Sequence, residues 1–249
     1  MPLTVKRLRE TKVSGGKSPV HMVSAWANEN DLVLGQVKVS EKSNEIAAIP
    51  KLLEVLFLED TLVTIDATGC KTEIAIEITS RKAGYILAVK ENQPQLYKDI
   101  EDEFRFAKQI EKQVSEDLGH GRIETRVCQV IKDFQFMSAE TTQKWEGLKA
   151  AINIESVRKF KNSHKPKEMA TWYYITSLEP NAKDFQKAIR SQWGIENKLR
   201  WTLDVAFSED ASRKRAKNAS QNFSILNKIA LNLLRNEKTA KVGFKGKRL

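Results

Sequence analysis

The hydrophobic period changes repeatedly along the first third of the chain. Residues 19 to 26 (PVHMVSAW) and 31 to 39 (DLVLGQVKV) alternate apolar and polar positions around Asn28, Glu29 and Asn30. That pattern predicts two strands joined as a hairpin. SNEIAAIPKLLEVLFLED then sets Leu52, Leu53, Leu56 and Phe57 at helical spacing, with Pro50 suited to a first turn, so a helix ending near Glu59 is expected. TLVTID at 61 to 66 is short and β-branched, as a strand covered on both faces would be. Residues 72 to 82 return to a helical period, and GYILAV at 84 to 89 reads as another strand. The succession predicts an α/β sheet.

Residues 94 to 117 read as one charged amphipathic helix. GRIETRVCQVI, AAINIESV and TWYYITSL follow as β-rich pieces, and residues 118 to 179 are expected to form a β-rich insertion into the α/β domain. From Asn181 the pattern is helical again: Ile195, Leu199 and Leu203 recur at spacings of four, with Trp193 and Trp201 beside them. A last helix is expected at about 217 to 236 with Phe223, Leu226, Ala230 and Leu233 on one stripe, before a basic, disordered tail, KVGFKGKRL. The expected division is therefore 1–117 for the first part of the core, 118–179 for the insertion, 180–236 for the second part and 237–249 for the tail.

Composition narrows the function classes. With 249 residues and 41% hydrophobic content the chain can bury a sizeable core. No run approaches the roughly 18 apolar residues of a membrane span, and MPLTVKRLRE lacks a signal-peptide apolar stretch, so a cytoplasmic protein with no membrane partner is expected. Forty-two Lys and Arg against 32 Asp and Glu give a net charge of +10, which attracts polyanions and makes nucleic acid the leading partner on charge. Cys70 and Cys128 form no CxxC and read as buried thiols. His21, His120 and His164 share no ligand spacing. The GKS of SGGKSP is no phosphate-binding loop, because Thr11 stands where its first glycine belongs.

Two carboxylates remain as candidates. Asp66 in TIDATGC closes an expected buried strand, where ligands of open α/β sheets gather, and Gly69 is expected to let the chain turn sharply. Glu196 in WGIENKLRW lies in an expected amphipathic helix with Gln192 and Arg200 one turn to either side. Phosphodiester chemistry with two divalent cations needs such acids to converge. The residues alone leave both readings open: Asp66 as a helix cap, and Glu196 with Arg200 as an i,i+4 ion pair worth about 0.3 to 0.5 kcal/mol.

TIDATGC, GYILAVKENQPQLYKDIEDEF, GHGRIETR and WGIENKLRWTLDVAFSEDASR, in this order, resemble the DDE transposases of bacterial insertion sequences, specifically the H-repeat-associated type found with Rhs elements. The resemblance runs from about Lys6 to Arg235. It implies an RNase H-like catalytic core with a β-rich insertion before the last catalytic helix, and it assigns Asp66 and Glu196 as catalytic metal ligands for Mg²⁺ or Mn²⁺. Lys198, Arg200, Arg122 and Arg190 are then the expected DNA-binding cations, with Asp204 and Asp210 as local support. The implied partners are insertion-sequence ends and target DNA, with self-association also expected, and the implied location is the bacterial nucleoid.

The departures from the family pattern matter equally. Similar members begin the core with a strand in the pattern D-G-K-T-L-R-G-S; here residues 4 to 11 read T-V-K-R-L-R-E-T, with Lys6, Leu8 and Arg9 in register and Thr4 where the first Asp would stand. Gln192 and Arg200 stand where HWxIENxLHW has histidines. Because the chain opens three residues before Thr4, an N-terminal truncation is expected. A neutral hydroxyl does not replace the charge of a metal-bridging carboxylate. The expectation is a degenerate transposase, with a noncatalytic DNA-binding remnant, or a partner of a full-length enzyme, as the alternative.

Overall fold

The computed structural model describes residues 1–8, 20–39, 45–119, 121–161, 166–214 and 216–248. SGGKSP, Arg9, His120 and His164 lie outside them. The described residues form two compact units, Met1–Leu58 with Ser191–Leu249, and Glu59–Arg190. Among these residues no helix is long and apolar enough to cross a membrane.

The first unit holds a three-stranded antiparallel sheet in the order β1-β2-β3, with β1 at Leu3–Leu8, β2 at Val20–Ala27 and β3 at Leu32–Lys38. The hairpin expected from alternation is present. Helix α1 runs Glu45–Glu54, five residues shorter than its apolar spacing implied, and Pro50 lies in its interior instead of its first turn. A proline there leaves the carbonyl four residues earlier without its helical partner, which weakens the turn before it. Phe57 lies beyond the helix and is 83% exposed.

The second unit is built on a six-stranded mixed sheet in the order β4-β5-β9-β8-β7-β6. Strands β4 (Leu62–Ile65) and β5 (Gly84–Val89) are parallel, joined through α2 (Thr72–Ser80). All other pairings are antiparallel: β6 (Glu111–Gly119), β7 (Arg122–Ile131), β8 (Ala150–Phe160) and β9 (Glu168–Thr176) form a meander that returns to β5. The expected helix 94–117 is divided. Helix α3 covers only Pro94–Phe106, and Glu111–Gly119 is the edge strand β6. Its charged sequence (EKQVSEDLG) mimics a helix surface, but nine residues pair in register with β7, and charge on an edge strand is a normal guard against aggregation. Gly121, at φ +71°, supplies the left-handed residue of the tight connection to Arg122.

Helix α3 is tied to the short helix α4 (Ala139–Lys144) by its own acids. Glu103, 1% exposed, accepts the amides of Phe136 and Met137, just before α4, at 2.6 and 2.9 Å, and Asp99 accepts the Thr141 hydroxyl of α4 at 3.4 Å. Both cysteines are buried and unpaired, as expected, and burial pushes each thiol up to about 12.

Helix α5 spans Ala182–Ile195, and a π-helical turn, Glu196–Arg200, connects it to α6 at Trp201–Phe207. Ile195, Leu199 and Leu203 are buried together with Trp26 and Leu231, as their spacing implied. Helix α7, Ala219–Asn236, presents the opposite face from the one expected. Its buried residues are Ser220, Ser224, Lys228 and Leu231, while Phe223, Leu226 and Leu233 are exposed. The reason is polar pairing with the edge strand β3. Asn232 accepts the Val33 amide and donates to the Val33 carbonyl, both at 2.9 Å, and Lys228 donates to Gln36 and, at 2.8 Å, to Ser224. An edge strand must satisfy its backbone groups, and here a helix side chain does so. In the tail, expected to be disordered, Phe244–Lys247 form one helical turn, α8; Lys247 donates to the carbonyls of Leu234 and Glu237, and Arg248 to that of Ala206.

Across β6, β7 and β8 runs an ion network. Arg126 pairs with Asp117 and, at 2.7 Å, with Glu124; Arg158 reaches Glu124 at 3.0 Å, and Ser156 donates to it at 3.1 Å. Burial raises the pKa of Asp117 and Glu124, but the hydrogen bonds and charges of Arg190, Arg126 and Arg158 outweigh it, so both carboxyls lie below their ordinary values. Groups lowered in the folded state contribute stability that is present above the unfolded carboxylate range, about pH 4, and lost as pH falls through the folded values. Thermal melts from pH 6 down to pH 3 should show a falling Tm that Glu124→Gln flattens. At pH 7 that variant should cost about 2 kcal/mol, less than a fully buried pair because Arg158 is half-exposed. A pH profile unchanged by the substitution would contradict the assignment.

Candidate active site

Asp66 directly follows the last residue of β4. Its backbone is extended, φ −69° and ψ 174°, and Oδ1 accepts the Thr68 amide at 3.1 Å. The carboxylate therefore caps a short 3₁₀ turn, Ala67–Gly69, while the N-cap of α2 is Lys71, without a side-chain bond. Gly69 has no positive φ, so the chain turns through this 3₁₀ turn and not through glycine's special freedom. Asp66 remains exposed. An exposed carboxylate at the carboxyl end of a parallel strand can offer oxygen to a hard cation.

The loop carrying Asp66 is clamped by residues that the sequence reading did not single out. Asn92 donates to the Ala67 carbonyl and Gln93 to the Cys70 carbonyl, each at 2.8 Å. Both come from the KENQP segment between β5 and α3. Their position in a quoted motif was the available signal; which backbone they grip was not.

Glu196 begins the π-helical turn, so it lies in a widened segment rather than inside a regular helix. Such turns occur often at functional sites because the extra residue re-aims the side chains around it. Its side chain is not among the described ones. Arg200 ends the turn, and its Nη2 donates to the Thr4 hydroxyl at 2.8 Å. Thr4 is 7% exposed on β1, opposite Ser24 in register. Asp66 belongs to the unit of Glu59–Arg190, and Thr4, Glu196 and Arg200 belong to the other.

The remaining predicted cations are mostly engaged. Lys198 pairs with Asp31 at 3.1 Å while 48% exposed, and Arg190 pairs with Asp117 at 2.7 Å while 52% exposed. Arg122 opens β7, half-buried and in register with Gly119. Asp204 and Asp210 are half-buried, whereas the intervening Glu209 is 3% exposed, a buried acid that sequence reasoning missed. Arg235 was missed too. Its guanidinium lies 4.4 Å from the Trp26 ring centroid and donates to the carbonyls of Asp31, at 2.7 Å, and Lys198. Burial lowers its pKa and Asp31 opposes that shift. Beside it Asp31, Lys198, Thr202, Lys238 and Lys247 line a cleft of about 810 Å³.

Mg²⁺ and Mn²⁺ take oxygen ligands, carboxylates above all. Among the described residues no three His, Cys, Asp or Glu side chains come together in a way that could hold a metal ion. Asp66 suits such an ion. Thr4 and Arg200 do not: the hydroxyl is neutral, and the group it meets is a cation.

A family model for the transposase DDE domain matches residues 5–233. The chain belongs to the transposase DDE domain family. Its relatives include a putative transposase YncI of Escherichia coli O157:H7, 45% identical over 242 residues, and an H repeat-associated putative transposase YhhI of Escherichia coli strain K12, 37% identical over 238 residues. Those matches cover 93% of this chain but 60% and 62% of the relatives, so the chain spans about three-fifths of the length of these relatives. The resemblance to the H-repeat-associated type is thereby borne out.

The clamp on the Asp66 loop is testable through Cys70, which is fully buried beside it. With its thiol at about 12, on the order of one molecule in ten thousand is thiolate at pH 8, so Cys70 should resist a thiol reagent in the native protein. Asn92→Ala should cost about 1 kcal/mol and speed both Cys70 labelling and amide exchange at Ala67–Cys70. Unchanged rates would show that Asn92 does not hold the loop.

Proposed function

We propose that this chain is a DNA-binding, transposase-like protein in which cleavage and strand transfer are lost or strongly impaired. The observation that carries the reading is the contact between Thr4 and Arg200. On the family pattern, position 4 is the first of three acids and Glu196 and Asp66 are the others. A neutral hydroxyl bound to a guanidinium supplies none of the negative charge needed to hold two divalent cations. The order of elements, an antiparallel β1-β2-β3 sheet followed by α1, β4, α2 and β5, supports an RNase H-like reading of the core.

DNA binding does not depend on that acid. Lys198, Arg200, Arg122 and Arg190 are proposed phosphate contacts, and the net charge of +10 favours encounter with DNA in the bacterial cytoplasm. Asp31 and Asp117 compete with phosphate for Lys198 and Arg190 and must release them when DNA binds. The alternative, a noncatalytic partner of a full-length transposase, uses the same cations and differs in needing a second protein.

Four neutralised phosphates imply that log K falls against log salt with a slope of about −3.6. Lys198→Ala should reduce that slope by about 0.9 and weaken all sequences alike, measurable by fluorescence anisotropy on duplex DNA. Nicking assays in Mg²⁺ or Mn²⁺ should show no cleavage at high protein concentration. Cleavage abolished by Asp66→Asn would overturn the degenerate reading in favour of an active enzyme.

A further inference from the structure

Four cations crowd the cleft beside Arg235. Lys198, Arg235, Lys238 and Lys247 line its volume of about 810 Å³ with two acids, Glu29 and Asp31, and all six residues belong to the unit of Met1–Leu58 and Ser191–Leu249. Four cations against two acids leave a surplus of two positive charges among the described residues.

The surplus is one of charge and not of hydrogen bonds. Arg235, whose side chain is 10% exposed, spends donors on the carbonyls of Asp31, at 2.7 Å, and Lys198, and Lys247 spends two on the carbonyls of Leu234, at 3.3 Å, and Glu237. Those acceptors are neutral. The Asp31 carboxylate lies 3.1 Å from Lys198 and 3.8 Å from Arg235, so one negative charge is shared between two cations. A buried charge left short of a counter-ion is costly. Glu237 lies near Lys247, but its carboxylate is outside the cleft lining and is held by the amides of Thr239, at 2.8 Å, and Ala240, at 3.1 Å. The Lys238 side chain is exposed and enters no hydrogen bond or ion pair among the described residues.

We propose that this cleft binds a phosphate monoester, carried by a nucleotide or by a phosphorylated end of a nucleic acid. A monoester bears about −1.5 to −2 at pH 7 and so answers a surplus of two, whereas an internal phosphodiester brings a single charge. Each ammonium has three donors, so Lys198 and Lys247 keep some for phosphate oxygens beyond those already spent, and Lys238 keeps all of its own. The volume falls within the roughly 300–1,000 Å³ of pockets that enclose small molecules, which leaves room for a sugar and base beside the phosphate. The proposal deepens the DNA-binding reading, which treats Lys198 as one duplex contact, and rests on it only for a nucleic-acid source of the phosphate.

The test is isothermal titration calorimetry of the full chain with inorganic phosphate, a nucleoside 5′-monophosphate, and a single-stranded oligonucleotide with or without a 5′-phosphate. Inorganic phosphate should saturate one site per chain. Lys238→Ala should weaken it about tenfold with Tm unchanged, because that side chain holds nothing else, and Lys238→Arg should stay within about threefold of wild type. A 5′-phosphate that strengthens oligonucleotide binding about tenfold, with the gain lost in Lys238→Ala, supports the site and makes a nucleic-acid end its source. Lys238-dependent binding of the monophosphate without that gain supports the site with a free nucleotide as its source. Phosphate that does not saturate, or an affinity that Lys238→Ala leaves unchanged, overturns the site, and duplex binding through Lys198, Arg122 and Arg190 then stands on its own. A chain that binds phosphate through Lys238 but binds no duplex overturns the DNA-binding reading instead and supports the site.

Discussion

The first unit hangs on one guanidinium. Arg235, at the end of α7, stacks on Trp26 of β2 and hydrogen-bonds the carbonyls of Asp31, in the β2–β3 turn, and Lys198, in the π-helical turn. The Lys198 carbonyl also accepts the Thr202 hydroxyl at 3.0 Å, and a planar group with five donors can reach both carbonyls while its face covers an aromatic ring. The apolar cluster of Trp26, Ile195, Leu199, Leu203 and Leu231 supplies the burial free energy; Arg235 decides how the turn is held against the hairpin. The placement of Arg200, and so its meeting with Thr4, follows from that arrangement.

In the second unit the comparable device is a pair of amides. Asn92 and Gln93 hold the loop after β4 so that Asp66 stands exposed at the strand end. The carboxylate's bond to the Thr68 amide is a cap, yet capping and a catalytic role are compatible, since one oxygen serves the turn. The two readings that the sequence left open therefore do not exclude one another.

How much was legible follows the range of each interaction. Strands β2, β3, β4, β5 and the buried face of the segment from Ile195 to Leu203 were readable, because period and burial coincide over a few residues. The charged run at 111–119 was misread, since strand pairing with β7 overrode a helix-like composition. The α7 stripe was misread for a different reason. Hydrophobicity locates an apolar face, but here Asn232 and Lys228 are turned inward by the unsatisfied edge of β3. At the site, Asp66 was visible from its strand, whereas the Thr4 hydrogen bond joins residues 196 apart and leaves no local signature. The family pattern flagged both positions separately; only geometry joins them.

That separation also dictates an order of assembly. β1 and the turn bearing Arg200 are made far apart in time: at about 5–20 residues per second, 196 residues take roughly 10–40 s to synthesise. Meanwhile the continuous segment Glu59–Arg190 is already complete on the ribosome, and it can close its six-stranded sheet as soon as β9 emerges to pair with β5. The discontinuous unit must wait with an unsatisfied hairpin, so it is the late-folding, high-contact-order part of the chain and the part most exposed to chaperones and proteases during synthesis.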